Sequence, residues 1–209
     1  MRAAQARSRQ TVSRRGLGAA SRFAAVRSDA ASLDDVMRAI AGLIAKASAD
    51  PAVIKLARQI VSGKYDDYQG QPVIMAWGRP YHAPQGGICQ TRDDACEIEA
   101  IWDFVVLNVR YTLDPTNVDT YTDPRYTLEA GAGDCDDMTI LFCSLLEAIG
   151  FQMAARVISV NGGSWEHIYP LVGVPKGNPT QWFPLDATEP DRAAGWEYPN
   201  PAAIQDYRL

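Results

Sequence analysis

Gly131-Ala-Gly-Asp-Cys-Asp-Asp137 runs directly into Met138-Thr-Ile-Leu-Phe-Cys-Ser-Leu-Leu-Glu-Ala-Ile149 and stops at Gly150. The two glycines permit a sharp turn with exposed backbone. Asp134 is a good N-cap, and Asp137, three residues on, completes a variant of the capping box. Ile140, Leu141, Cys143, Leu145, Leu146 and Ile149 then recur at helical spacing, and Gly150 supplies the C-terminal stop. Cys135 therefore falls in the first turn of a buried helix. Unpaired N–H groups and the positive end of the helix dipole favour a thiolate there. Asp134, Asp136 and Asp137 oppose it, because neighbouring carboxylates disfavour a further anion. The thiol needs a cationic partner.

The chain has two histidines, His82 and His167. His82 sits in Arg79-Pro-Tyr-His-Ala-Pro84, a proline-flanked segment that reads as surface loop. His167 sits in Ser164-Trp-Glu-His-Ile-Tyr-Pro-Leu-Val-Gly-Val174, whose alternation and aromatic, β-branched content read as a strand. One face of that strand carries Trp165, His167, Tyr169 and Leu171, the other Ile168, Pro170 and Val172. Gln181-Trp-Phe-Pro-Leu-Asp-Ala-Thr188 reads as a further strand, with Asp186 near its end. Cysteine at a helix start, histidine on one strand and aspartate at the end of the next suit a thiol nucleophile, an imidazole base and an orienting carboxylate.

The ordered set Gly133-Asp-Cys135, helix, Gly150, His167 strand and Trp182-Phe-Pro-Leu-Asp186 resembles the transglutaminase-like branch of the papain-like cysteine enzymes. Arg110-Tyr-Thr-Leu-Asp-Pro115 and Thr127-Leu-Glu-Ala-Gly131 resemble the lead-in of bacterial and phage-type members, which suggests a phage or prophage setting. The resemblance covers Thr91 to Trp196. It implies a papain-like α+β core, a nucleophile helix packed on a small antiparallel sheet, and Cys135, His167 and Asp186 as a catalytic triad. It implies no cofactor and no single reaction: peptidases, amide-transferring enzymes, deamidases and members without catalysis share the fold.

The net charge of −5 is unevenly distributed. Residues 1–30 hold seven arginines and one acid, leaving −11 on the rest. A basic tail can meet nucleic acid or an acidic surface, but a solvated flexible arm is the simpler reading. No apolar run approaches a membrane span. The four cysteines, Cys89, Cys96, Cys135 and Cys143, fit no common zinc spacing, so no metal site is expected. Cys143 reads as inert core. Cys89 and Cys96 would pair in an exported protein, but a reduced cytoplasmic pair is the default expectation. Arg22 interrupts the apolar stretch after Arg14-Arg15, which argues against an export signal.

Four segments follow: a basic flexible arm over 1–30, a helical extension over 31–63, a loop or linker over 64–90, and a catalytic domain over 91–209 with an irregular tail. Ser32-Leu-Asp-Asp35 opens one extension helix, and Asp50-Pro51 opens the next, which ends near Gly63. Their apolar faces call for packing on the domain. Residues 64–90 read as a long loop containing a short strand at Pro72–Trp77. Thr91-Arg-Asp-Asp94 caps a helix through about Val109. Thr116 to Pro124 is a polar loop whose Asp119 and Asp123 lack the ligand alternation of a calcium loop. Phe151–Val160, the His167 strand and the Asp186 strand form a meander on the Cys135 helix, and residues after Glu189 run irregularly over the surface.

The chemistry expected is attack by Cys135 on the amide carbonyl of a protein or peptide, through a thioester. The Cys135 main-chain N–H is one oxyanion donor, and the second comes from upstream, with Tyr121, Tyr126 and Trp102 as candidates. Water is the expected acceptor, because transfer to an amine needs a second binding site that the sequence does not advertise. A crosslinking acyl transferase and a non-catalytic interaction module on the same fold are the alternatives.

Overall fold

The computed structural model describes residues 23–26, 32–85, 88–114, 119–189 and 191–209. In chain order the elements are β1 (Phe23–Val26), α1 (Leu33–Ser48), α2 (Pro51–Ser62), β2 (Asp66–Tyr68), β3 (Gln71–Ala76), β4 (Arg79–His82), α3 (Asp94–Asn108) and β5 (Arg110–Tyr111). They continue with β6 (Asp119–Thr122), α4 (Pro124–Ala130), β7 (Ala132–Gly133), α5 (Cys135–Glu147), β8 (Met153–Ser159), β9 (His167–Val174), β10 (Gln181–Pro184) and β11 (Ala203–Arg208). The fold is α+β, with α5 packed on an antiparallel sheet of order β10-β9-β8-β11.

Helix α5 is apolar on nearly every side, and Ile140, Leu141, Phe142, Cys143, Leu145 and Leu146 are fully buried. A helix of that kind must be enclosed by other elements. Met153, Ala155, Val157, Ile168 and Val172, on one face of β8 and β9, join it in the main core. Ile40, Ile44, Leu56 and Ile60 of α1 and α2 share that core, as do Ile101, Phe104 and Val105 of α3. The extension helices thus pack on the domain, as their apolar stripes require. Their ends follow sequence chemistry: Ser32 and Asp35 form a reciprocal capping box, Asp50 caps α2 ahead of Pro51, and Gly63 ends α2 with left-handed backbone.

Four segments differ from the sequence reading. Residues 66–82, expected as a loop with one short strand at Pro72–Trp77, form the antiparallel sheet β2-β3-β4, in which β3 is that strand and β2 and β4 are additional. Its turns are Gln69-Gly70 and Trp77-Gly78, both pairs at positive φ. That is the geometry a two-residue hairpin prefers, but glutamine and tryptophan are unusual in its first position and hide the signal. The stretch after Glu189 includes β11, which pairs with β8 from Ala203↔Ser159 to Arg208↔Ala154. It is an exposed edge strand, so its weak apolar alternation conceals it. Phe23–Val26, inside the expected flexible arm, pairs antiparallel with β6, while residues 1–22 lie outside the described residues. Cys89 and Cys96, expected to be reduced, form a disulfide. The first turn of α3 brings Cys96 beside the segment that Cys89 ties to α2 through its N–H to the Val61 carbonyl, 3.1 Å.

No helix of the described residues is long and apolar enough to cross a membrane.

Candidate active site

Asp134 N-caps α5, accepting from the N–H groups of Asp136 (3.1 Å) and Asp137 (3.3 Å). Asp137 does not reach back as a capping box would require. Its Oδ1 instead accepts from Thr122, from the main-chain N–H at 2.8 Å and from the hydroxyl. That bond ties the start of α5 to β6. Gly133 enters the same turn under tight packing: a Cβ there would lie 2.7 Å from Cβ of Asp137. Only glycine lets β7 pass so close to the helix that presents Cys135.

Cys135 is thus the first residue of α5, half-buried, with a free thiol. The main-chain N–H groups of Ile168 and Asp136 are directed at its sulfur and favour the anion. Burial, then the carboxylates of Asp136 and Asp134, push the thiol well above its ordinary value. Both causes favour the neutral thiol. Asp134 is itself pushed up to about 7, first by burial and then by Asp137. No hydrogen bond among the described residues engages the Cys135 main-chain N–H.

His167 opens β9, and its Nε2 lies 2.8 Å from Oδ2 of Asp186. Asp186, just beyond β10, is 1% exposed. Its other oxygen accepts from the Thr188 hydroxyl at 2.7 Å and the Thr188 N–H at 3.2 Å. A carboxylate can only accept, so Nε2 carries the proton and Nδ1 is the basic nitrogen of the neutral ring. The side chain of Tyr169 lies against the imidazole, ring centroids 5.6 Å apart. Ile168, the residue after His167, faces the core under α5 and offers its N–H to Cys135. The Thr139 hydroxyl of α5 also contacts the Ile168 carbonyl, at 3.5 Å. Main-chain contact thus brings Cys135 to the first residues of β9, where Asp186 holds His167.

The upstream donor candidates fare differently. Trp102 is buried and stacks on Phe142, centroids 5.6 Å apart, as core. Tyr121 is 2% exposed within the main core, and Tyr126 lies on α4 beside Arg125. His82 is exposed on β4, where its main chain pairs with the Asn108 side chain. Asp123, imagined as a calcium ligand, caps α4 through the Arg125 N–H.

Tyr111 is the residue that sequence reading leaves in the lead-in. It occupies β5, in parallel register with Gly133, two residues before Cys135. It also lines a cavity of about 460 Å³ together with Ala187 and Thr188, the residues that follow Asp186. Burial, then the charges of Cys135, Asp134 and Asp186, push its phenol up to about 12. The sequence signal was its place in the lead-in, which gives no register.

Residues 85–187 match the model of the transglutaminase-like superfamily. This stretch of the chain belongs to the transglutaminase-like superfamily. The superfamily includes cysteine peptidases and acyltransferases, and most of its members are enzymes. No curated protein matches the chain. A solved structure from Parabacteroides distasonis ATCC 8503, named a "putative protease", is similar at 12% identity with a TM-score of 0.42. That similarity covers 70% of this chain and 29% of the other, so this chain spans under a third of that protein's length. The transglutaminase-like match begins just ahead of α3 and ends one residue past Asp186, so it includes Tyr111, Cys135, His167 and Asp186.

Proposed function

We propose that the protein is a cysteine enzyme that cleaves amide bonds of a protein or peptide through a thioester on Cys135. The observation that carries this reading is the bond from His167 Nε2 to the buried carboxylate of Asp186, with the free Cys135 at a helix start against the next residue, Ile168. That bond holds the imidazole in the tautomer whose Nδ1 is basic. Nδ1 takes the thiol proton as the sulfur attacks the carbonyl carbon. The oxygen develops negative charge and accepts from the Cys135 N–H. The tetrahedral species collapses, the amine leaves with the proton from His167, and water then releases the acid. The upward push on the Cys135 thiol agrees with this order, in which the anion forms as the proton moves to His167.

The Cys89–Cys96 disulfide favours an oxidising compartment over the cytoplasm.

A screen of peptide and amide substrates with wild-type and Cys135→Ala protein, read by mass spectrometry, tests the reaction. Addition of water with chain cleavage is expected. Joining of two substrates with loss of ammonia would replace hydrolysis by acyl transfer, and unchanged masses throughout would favour an interaction module.

A further inference from the structure

Helix α2 turns one face to the core and the other to solvent. Val53, Leu56, Ala57 and Ile60 are buried. The outer face carries two rows at i, i+4 spacing, Pro51, Lys55 and Gln59 beside Ile54, Arg58 and Ser62. Gly63 then turns the chain through left-handed backbone. Tyr65 folds back on the end of the helix, where its hydroxyl donates to the Ile60 carbonyl at 3.1 Å. That carbonyl lies in the last turn, where no intrahelical N–H satisfies it. The bond sets residues 64–66 as a second wall beside the helix, and the two walls border an open groove of about 850 Å³. The groove shares no lining residue with the Cys135, His167 and Asp186 site.

The groove is positive in an acidic protein. Lys55, Arg58 and Lys64 line it against one carboxylate, Asp66. All three cations are exposed, and none is in an ion pair among the described residues. Arg38, Arg125, Arg156 and Lys176, by contrast, each hold a carboxylate. Helix α2 contains no acid that could neutralise its own cations. Residues 31–209 carry −11 in all, so the rest of their surface repels anions and this groove attracts them. Pro51, Ile54 and the Tyr65 ring add apolar wall between the charges. Cations beside an apolar wall match a peptide that carries both carboxylates and apolar side chains. A phosphate group or a sulfated sugar would meet the charges but has nothing to place against Pro51 and Ile54. We propose that this groove docks an acidic segment, with interspersed apolar side chains, of a partner protein.

The probe is a short fluorescein-labelled peptide of glutamate and leucine, followed by fluorescence anisotropy against the whole chain. Binding should saturate and should weaken as salt rises, because the contacts are exposed charges. Lys55→Glu with Arg58→Glu should weaken it at least about 10-fold, since two attractions become repulsions. Arg38→Glu with Lys46→Glu makes the same change of net charge at two exposed α1 positions outside the groove, and should move Kd less than about threefold. A peptide of glutamate and serine should bind more weakly than the leucine peptide, because it leaves the apolar wall uncovered. Melting curves check that the variants are folded. Lys55→Gln with Arg58→Gln keeps good helix formers and adds no repulsion, so it tests the same point, with a smaller loss, if the reversed protein does not fold. The proposal is overturned if wild type shows no saturable binding, if the two glutamate double variants lose equally, or if the Lys55 and Arg58 variants bind like wild type. Equal affinity for the serine peptide, with displacement by heparin, would mark a general polyanion surface and would overturn it too.

Discussion

The sulfur of Cys135 sits against the main-chain N–H of Ile168, one residue past His167. The contact links the first turn of α5 to the first residues of β9. Asp186 approaches the same strand end and holds the imidazole through Nε2 at 2.8 Å. A single junction of helix and sheet therefore carries Cys135, His167 and Asp186.

Replacing Asp186 should damage turnover more than folding. Asp186→Asn keeps the shape and the bonds from Thr188 but loses the charge that matches an imidazolium. Turnover of any amide substrate should fall on the order of 10³- to 10⁴-fold, as for the orienting carboxylate of other triads. Steady-state kinetics beside a melting curve check this, with the midpoint expected to move little.

The carboxylates around the thiol should restrain its reactivity. Asp136 is the largest charge contribution that raises the Cys135 thiol. Asp136→Asn removes that charge with little change of shape. Its thiol pKa should fall, and iodoacetamide should label Cys135 faster than in wild type at pH 7. Labelling that is slower or unchanged would show that burial alone sets the thiol.

Asp134 should make stability depend on pH. Its folded-state pKa, about 7, lies above its ordinary value near 3.8 because burial and Asp137 disfavour the anion. The folded protein binds this proton more tightly than the unfolded chain. The resulting stability is full below about pH 4 and is lost as pH rises through about 7. Asp134→Asn retains an N-cap and removes the titration. Melting temperatures from pH 4 to 8 should therefore decline less in the variant than in wild type.

Much of this arrangement was legible in the sequence. Ser32, Asp50 and Asp134 cap helices as read, since cap chemistry is local, whereas α3 is capped by Asp93 and not by Thr91 at the head of its motif. The spacing of apolar residues placed α5, and the alternation around His167 separated Tyr169 and Leu171 from Ile168 and Val172, which lie in different cores. What escaped depends on partners distant in sequence. Strand β11 exists because β8 offers it an edge and Arg156 holds Asp206 at 2.8 Å. Asp137 looked like half of a capping box but bonds to Thr122, fifteen residues earlier. Tyr111 pairs with Gly133, two residues before Cys135, in a register that no local pattern encodes.

The disulfide gives a direct count. Denatured protein that has not been reduced should titrate two thiols, Cys135 and Cys143, and reduced protein four. Cys89→Ser with Cys96→Ser should cost roughly 2 to 3 kcal/mol of stability, as loss of a short cross-linked loop predicts. Four thiols without reductant would show that the pair is open and would remove the argument for an oxidising compartment.

The central claim is that His167 activates Cys135. The most direct measurement is the rate of Cys135 alkylation by iodoacetamide against pH, in wild type and His167→Ala, with Cys135→Ala as the blank. With the imidazole present, the thiol has a base to receive its proton. Wild type should therefore react faster than His167→Ala at neutral pH, because in both proteins burial and the two aspartates raise the thiol and only wild type has a base to take its proton. Identical rates and identical pH profiles in the two proteins would contradict the account.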